Sequence, residues 1–180
     1  MDFIQTGFDE LTVIKNTFMR DSRGAFVKRF NDDDFIQNGI AFSMKEQYYS
    51  VSQKNVVRGM HFQRPPFEHS KLVYVINGSI LDVVLDIRKG SKTYGKFFSI
   101  ELNENENTSL YIPVGFAHGF KALEDNTLML YNVSGVYNRE CDQGIKWDSI
   151  GFNWNISNPV LSDRDRTFIP LSDFETPFHI

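Results

Sequence analysis

The sequence predicts an all-β fold, an antiparallel sandwich or barrel formed as one domain over residues 1–180. Three observations predict it. Aromatic residues make up 14% of the chain, with 17 Phe and 7 Tyr, and such side chains favour the half-buried surface of a pleated sheet. Short strand-like runs follow one another at close spacing, broken by Gly, Asn and Asp, which is the rhythm of all-β architectures. The length of 180 residues lies near the prior of roughly 150 residues for one domain.

The elements follow in order. Thr12-Val-Ile and the run Ala25–Phe30 open the series. Asp32-Asp-Asp-Phe-Ile-Gln37 predicts a short helix with an acidic residue as its cap. Arg58-Gly-Met-His61-Phe-Gln63 has a short strand pattern, and Lys71–Ile76 is another strand. Asn77-Gly78 then predicts a hairpin turn into Ser79–Ile87, where apolar and polar residues nearly alternate. Phe97–Leu102, Ser109–Pro113, Gly119–Leu123 and Thr127–Asn132 continue the pattern. The tail from Asn155 onward, with its Pro, Ser and Asp residues, reads as loop with one short helical turn.

Composition narrows the class of function. A hydrophobic content of 41% is enough for a real core. The net charge of -4 argues against a nucleic-acid or membrane-surface partner. No apolar run approaches the ~20 residues of a membrane span, and no basic, then apolar, leader opens the chain. The single cysteine, Cys141, rules out an intrachain disulfide and fits a cytoplasmic protein.

The chemistry concentrates in two stretches. Arg58, His61 and Lys71 bring a fixed cation, an imidazole and an amine close together in sequence. Ile112-Pro-Val-Gly-Phe-Ala-His118-Gly-Phe and the tyrosine of Leu130-Tyr131-Asn132 follow. Together they supply a base, an anion clamp, an electrophile and an acid, the set that moves a proton beside a ketone.

With Asp21-Ser-Arg23-Gly-Ala-Phe26, Val84-Leu-Asp86-Ile-Arg88, Thr93-Tyr-Gly-Lys, Ile145-Lys-Trp147-Asp and Leu161-Ser-Asp-Arg-Asp165-Arg, these motifs stand in a specific order over most of the chain. In that order they resemble the nucleotide-sugar 3,5-epimerases typified by dTDP-4-dehydrorhamnose 3,5-epimerase. The resemblance implies a cupin-type jelly roll and a cofactor-free, metal-free isomerase. It also implies a homodimer with exchanged N-terminal strands, serving deoxysugar synthesis for a surface polysaccharide. The implied substrate is a nucleotide-diphosphate 4-keto-6-deoxy sugar, whose C–H bonds at C3 and C5 are acidified by the C4 ketone. Inversion removes a proton from one face and returns one to the other, while a cation or hydrogen-bond donor stabilises the enolate oxygen.

The resemblance also implies roles. His61 is the base, backed by Asp165, and Tyr131 is the acid on the opposite face. Lys71, a compact cation, suits the enolate. Arg23 and Arg58 hold or flank the diphosphate, and Arg164 is a third candidate. Phe26 lines the nucleotide site, and Tyr137 is a wall of the site. His118 is balanced between a sugar contact and a hydrogen-bonded turn residue, and Asp82 between orienting a histidine and closing a core polar network. Without the resemblance, Lys71 defaults to a solvated strand end, Tyr131 to core, Asp165 to a helix cap or a surface ion pair with Arg166, and Arg164 to a charged loop.

Two departures concern the base. Thymidine-using members carry a Glu two residues after the aromatic where this chain has Lys28, and a Gln and an Asn in the region that is Glu46-Gln47-Tyr48-Tyr49 here. They admit a CDP- or GDP-linked sugar beside a dTDP-linked one. The rivals are a metal-dependent cupin, a 3,4-ketoisomerase or single-centre epimerase, and a non-catalytic sugar-binding module. For the metal cupin, His61 and His118 would join Glu68 and His69, yet His61 is followed by Phe62-Gln63 rather than by a second His one residue on. Arg58 and Lys71 would also oppose a dication. The sequence separates the same-scaffold isomerases poorly, and a binding module needs no His–Asp pair opposite a tyrosine.

Overall fold

The structure is a computed structural model that describes residues 1–180. Its strands are β1 Asp2–Gln5, β2 Thr12–Lys15, β3 Thr17–Asp21, β4 Gly24–Lys28, β5 Glu46–Ser52, β6 Val57–Gln63, β7 Lys71–Asn77, β8 Ser79–Asp86, β9 Arg88–Lys89, β10 Phe97–Asn103, β11 Thr108–Ile112, β12 Phe116–Ala122, β13 Thr127–Val133, β14 Asp142–Gly144 and β15 Phe178–His179. The helices are α1 Asp32–Gln37 and α2 Asp163–Arg166, with 3₁₀ turns at Trp147–Ser149 and Leu171–Asp173. A six-stranded antiparallel sheet, β1-β2-β11-β7-β13-β5, faces a five-stranded one, β10-β8-β12-β6-β14. This is the predicted all-β sandwich, in cupin-type jelly-roll form.

Leu11, Val73, Val84, Leu110, Phe120 and Met129 are among the side chains packed between the sheets. Each fully buried Val, Leu or Phe contributes roughly 1.5–3 kcal/mol by leaving water. A second cluster, including Val57, Met60, Phe62, Val83 and Leu85, lies on the outer face of the five-stranded sheet. Ile145, Ile150, Trp154 and Phe178 from the C-terminal tail cover it. β12 is therefore buried at every position, which explains its run of apolar residues and its buried His118. The tail has more structure than predicted: two short turns beyond Asn155 and a strand, β15, paired in parallel with β9.

Two predictions are corrected. Asn77-Gly78 is not a hairpin: β7 pairs with β11 and β13, while β8 pairs with β10 and β12. Gly78 is a corner that carries the chain from one sheet to the other, at φ 80° and with its N–H donating to Glu104 Oε2 at 3.0 Å. An Asn-Gly pair signals positive φ, and a corner needs that as much as a hairpin does. The buried faces of β7 and β8 meet by stacking rather than side by side. Helix α1 is capped by Asn31, whose Oδ1 accepts from the Asp34 N–H at 3.2 Å. The three Asp residues fill the first turn, where the helix dipole favours negative charge.

Two motif glycines allow a close approach between β6 and β12. A Cβ on Gly59 would lie 2.5 Å from the Gly119 Cα, and one on Gly119 would lie 2.8 Å from the Arg58 carbonyl oxygen. Gly59 also has φ 143°, which an L side chain rarely adopts. Gly59→Ala should destabilise the fold by about 3 kcal/mol, the upper range for overpacking, and lower Tm by roughly 6–12 °C. Thermal unfolding followed by circular dichroism checks this; an unchanged Tm would contradict the contact.

Candidate active site

His61 lies on β6 and His118 on the neighbouring β12, opposite each other in the five-stranded sheet. Lys71 on β7, Tyr131 on β13 and Tyr48 on the edge strand β5 come from the facing sheet. All five border one cavity of about 300 Å³ between the layers, which Arg58 also lines. The sandwich thus places the imidazoles on one wall and the tyrosines and amine on the other.

His61 Nε2 is 2.8 Å from Asp165 Oδ1. Asp165 sits on α2, is 3% exposed, and also accepts from the Gly59 N–H at 3.4 Å. Burial alone would raise its carboxyl pKa, but the hydrogen bond and charge of His61, with the Gly59 N–H, outweigh burial and hold it below the usual range. A carboxylate at Nε2 fixes the proton there and leaves the Nδ1 lone pair to act as a base. Asp165 is therefore neither a mere helix cap nor one end of a surface pair with Arg166. Ser162 takes the cap, its hydroxyl accepting from the Asp165 N–H.

His118 is not a turn residue. It is 3% exposed in mid-strand, with Nε2 at 2.8 Å from Asp82 Oδ2. Burial lowers its pKa, and Lys71 and His61 add to that against the pull of Asp82. Lys71 is not a solvated edge charge either: it is 8% exposed and donates to the His61 carbonyl at 3.3 Å. Burial lowers its ammonium to about 8, against the raising effect of Asp142 and Asp82. Burial likewise raises the hydroxyl pKa of Tyr131, which keeps its proton available to give. Tyr48 stacks on Tyr131 with ring centroids 4.8 Å apart.

Arg58 is anchored by Nε to Ser52 Oγ at 3.1 Å and by Nη2 to the Val51 carbonyl at 3.3 Å. That anchoring aims its planar fork at the cavity it lines. Arg164 lines an adjoining depression with Arg58, His61 and Asp165. It is already paired with Asp142 at 2.7 Å and lies over the Phe168 ring. Tyr137 stands outside the cavity and is 54% exposed, its N–H donating to Glu46 Oε2. Arg23 and Phe26 are not brought to the cavity within the protomer. They lie on the β3–β4 hairpin, outside both sheets, where Arg23 is bound by Asp21 at 2.6 Å. Phe26 is 53% exposed, beside exposed Phe18 and Met19.

Several cavity residues escaped the sequence reading. Ser50, Gln63 and Asp142 line it, as does His69, considered above only as a metal ligand. On β5 the alternate positions Tyr48, Ser50 and Ser52 turn inward, yet two are small and polar because they face a cavity and not a core. That polar face is why this strand lacked an apolar alternation. No three His, Cys, Asp or Glu side chains converge as a metal site, the arrangement the metal-dependent rival requires.

The comparisons with known proteins agree with this geometry. The family model described as dTDP-4-dehydrorhamnose 3,5-epimerase matches residues 5–173. The dTDP-4-dehydrorhamnose 3,5-epimerase of Methanothermobacter thermautotrophicus is 38% identical over 176 residues, 95% of each chain. The Legionella pneumophila enzyme solved in complex with dTDP-4-keto-L-rhamnose superposes with a TM-score of 0.91 at 31% identity, covering 97% of this chain and 94% of that one. A 3'-monoepimerase of Streptomyces bikiniensis in complex with dTDP-quinovose superposes at 0.87 with 26% identity, covering 92% and 86%. By the family model, by identity over nearly its whole length and by its fold, the chain belongs to the dTDP-4-dehydrorhamnose 3,5-epimerase family.

Proposed function

We propose that the protein inverts C3 and C5 of a nucleotide-diphosphate 4-keto-6-deoxy sugar, with His61 as base and Tyr131 as acid. The observation that carries this reading is the His61–Asp165 pair on one sheet opening to the same cavity as Tyr131 on the facing sheet. A sugar ring between the walls presents one face to each. His61 takes the proton α to the ketone, and Asp165 stabilises the imidazolium that forms. Lys71, with His118 beside it, stabilises the enolate oxygen. Tyr131 returns a proton from the other face. Arg58 takes the diphosphate. A dTDP-linked sugar is favoured by the complexes of the relatives, and Lys28 and the Glu46–Tyr49 stretch are where this chain departs from the thymidine-using members.

The single free cysteine fits a cytoplasmic protein, and the exposed β3–β4 hairpin supports a homodimer in which each copy lends its hairpin to the other, carrying Arg23 and Phe26 to the second cavity. In that arrangement Arg164 and Tyr137 serve at the rim, Arg164 through Asp142. The deciding experiment incubates the protein in deuterated water with dTDP-, CDP- and GDP-4-keto-6-deoxyglucose. Deuterium at C3 and C5 with one nucleotide supports the reading, deuterium at C3 alone would favour the single-centre reading, and none with any would remove it.

Two predictions follow the site's charges. If the Lys71 ammonium stabilises the enolate, its role is present below its pKa of about 8 and lost as pH rises through it. kcat/KM, which reports the free enzyme, should therefore fall above about 8. In Lys71→Met, the residual rate should no longer fall across that range. Activity should also survive dialysis against a chelator, because each cavity histidine beside a carboxylate is engaged by it at 2.8 Å. Loss on dialysis with recovery on adding one metal would restore the metal-cupin reading.

A further inference from the structure

Tyr131 is placed by packing. Its ring is held between two others: Tyr48 lies nearly flat against it, 4.8 Å between centroids at 18°, and His118 meets it edge-on at 6.3 Å and 64°. The Ser50 hydroxyl, which faces the same cavity, is close enough to lower the Tyr131 hydroxyl pKa against the effect of burial, but it makes no hydrogen bond of good geometry to hold the ring. Tyr48 and Tyr131 are direct cross-strand partners of β5 and β13. Cross-strand pairs have their Cβ atoms close enough for the rings to stack. β5 is the last strand of its sheet, so Tyr48 has a neighbouring strand on one side only within the protomer.

From this geometry we infer that Tyr48 is a positioning residue that fixes the Tyr131 ring, and with it the point from which the return proton is delivered. The inference rests on the assignment of Tyr131 as the acid. Only the second half-reaction needs that position. Deprotonation by His61 and stabilisation by Lys71 involve the other wall and a strand that Tyr48 does not pair with. Loss of the flat ring opens space on that face into which the Tyr131 side chain can swing about χ1, which carries the hydroxyl with it, whereas rotation about χ2 alone leaves the hydroxyl on its axis. Enolate then forms and is protonated again from the face it left, so exchange without inversion rises as a share of turnover. Tyr48 itself stays neutral: burial, with the nearby Glu46 and Asp142 carboxylates, raises its hydroxyl to about 12, so its contribution is the ring and not a proton.

The test measures deuterium exchange and inverted product together, at saturating substrate, for Tyr48→Ser, Tyr48→Leu, Tyr48→Phe and Tyr131→Phe. Tyr48→Ser should lower inversion by about 10²-fold against a nearly constant exchange rate, the scale of a 1 Å misplacement. Tyr48→Leu, which keeps apolar bulk but no flat face, should share the defect if Tyr48→Ser does not fold. Tyr48→Phe should restore the exchange-to-inversion ratio. A wild-type ratio in both Tyr48→Ser and Tyr48→Leu would overturn the inference, as would a Tyr48→Phe enzyme as defective as Tyr48→Ser. Tyr131→Phe separates the two levels. If it inverts at the wild-type rate, the acid assignment fails. If it loses inversion while the Tyr48 variants keep it, only the positioning role fails.

Discussion

His61→Ala should remove deuterium exchange at both C3 and C5, a loss of about 10²–10⁴-fold by the usual scale of general-base catalysis. The base needs a buried carboxylate behind it and a side open to a ligand, and His61, with Asp165 at 2.8 Å, has both. His118 is similarly paired with Asp82, but it is almost fully buried, whereas the His61 side chain is 29% exposed and open to a ligand. Truncating His61 also strands a carboxylate that is 3% exposed, and an uncompensated buried charge is destabilising. His61→Gln is the companion variant: its amide nitrogen overlays the Nε2 position and can still donate to Asp165, but it cannot accept a proton at neutral pH. Loss of exchange in a His61→Gln protein with a wild-type melting curve assigns the loss to chemistry. Near-wild-type exchange in that variant would remove His61 as the base.

Tyr131→Phe should separate exchange from inversion. Deprotonation is by His61 on the opposite wall, with Lys71 still in place to stabilise the enolate, so deuterium should continue to enter from the His61 side. Inverted product should fall by about 10²–10⁴-fold, because the proton donor on the second face is gone. The raised pKa of the buried hydroxyl keeps Tyr131 protonated at every pH at which the protein is handled, so the effect should not vary between pH 6 and 9, roughly a unit below the ordinary tyrosine value of about 10. If Tyr131 only packs against the sugar, exchange and inversion fall together or scarcely at all. Measuring both rates in one sample decides between these outcomes.

Most of the fold was legible because the burial of each strand shows in its residues. β2, β7, β8 and β13 bury apolar side chains and were read within a residue or two of their limits. β5 was not, because its inward face is polar where it borders the cavity. The change of sheet at Gly78 was not legible either, since a dipeptide that permits positive φ does not say which strands will pair. At the site, His61, Lys71, His118 and Tyr131 were named from their motifs, and the structure brings all four to one cavity. Asp165 lies 104 residues beyond His61, and without the resemblance nothing local to it distinguishes it from a helix cap. Asp142, Gln63 and Ser50 carried no signal, because a lone polar residue looks the same whether it lines a cavity or faces solvent. Arg23 and Phe26 were recognisable by motif, but the hairpin that carries them lies outside both sheets and away from the cavity.

The close contact of Gly59 with Gly119 bears on how such a chain would diverge. Arg58-Gly-Met-His61 and His118-Gly119 look like a signature of chemistry, yet the two glycines are required by the distance between β6 and β12 whatever the protein does. His61 can change and leave the sandwich standing, while Gly59 cannot. A descendant that abandoned the reaction would lose the histidine first and keep both glycines, so the outline of the motif would outlive the activity. In this scaffold the imidazole on β6 and its carboxylate on α2 are the marks of an enzyme, and the glycines beside them are the marks of a barrel.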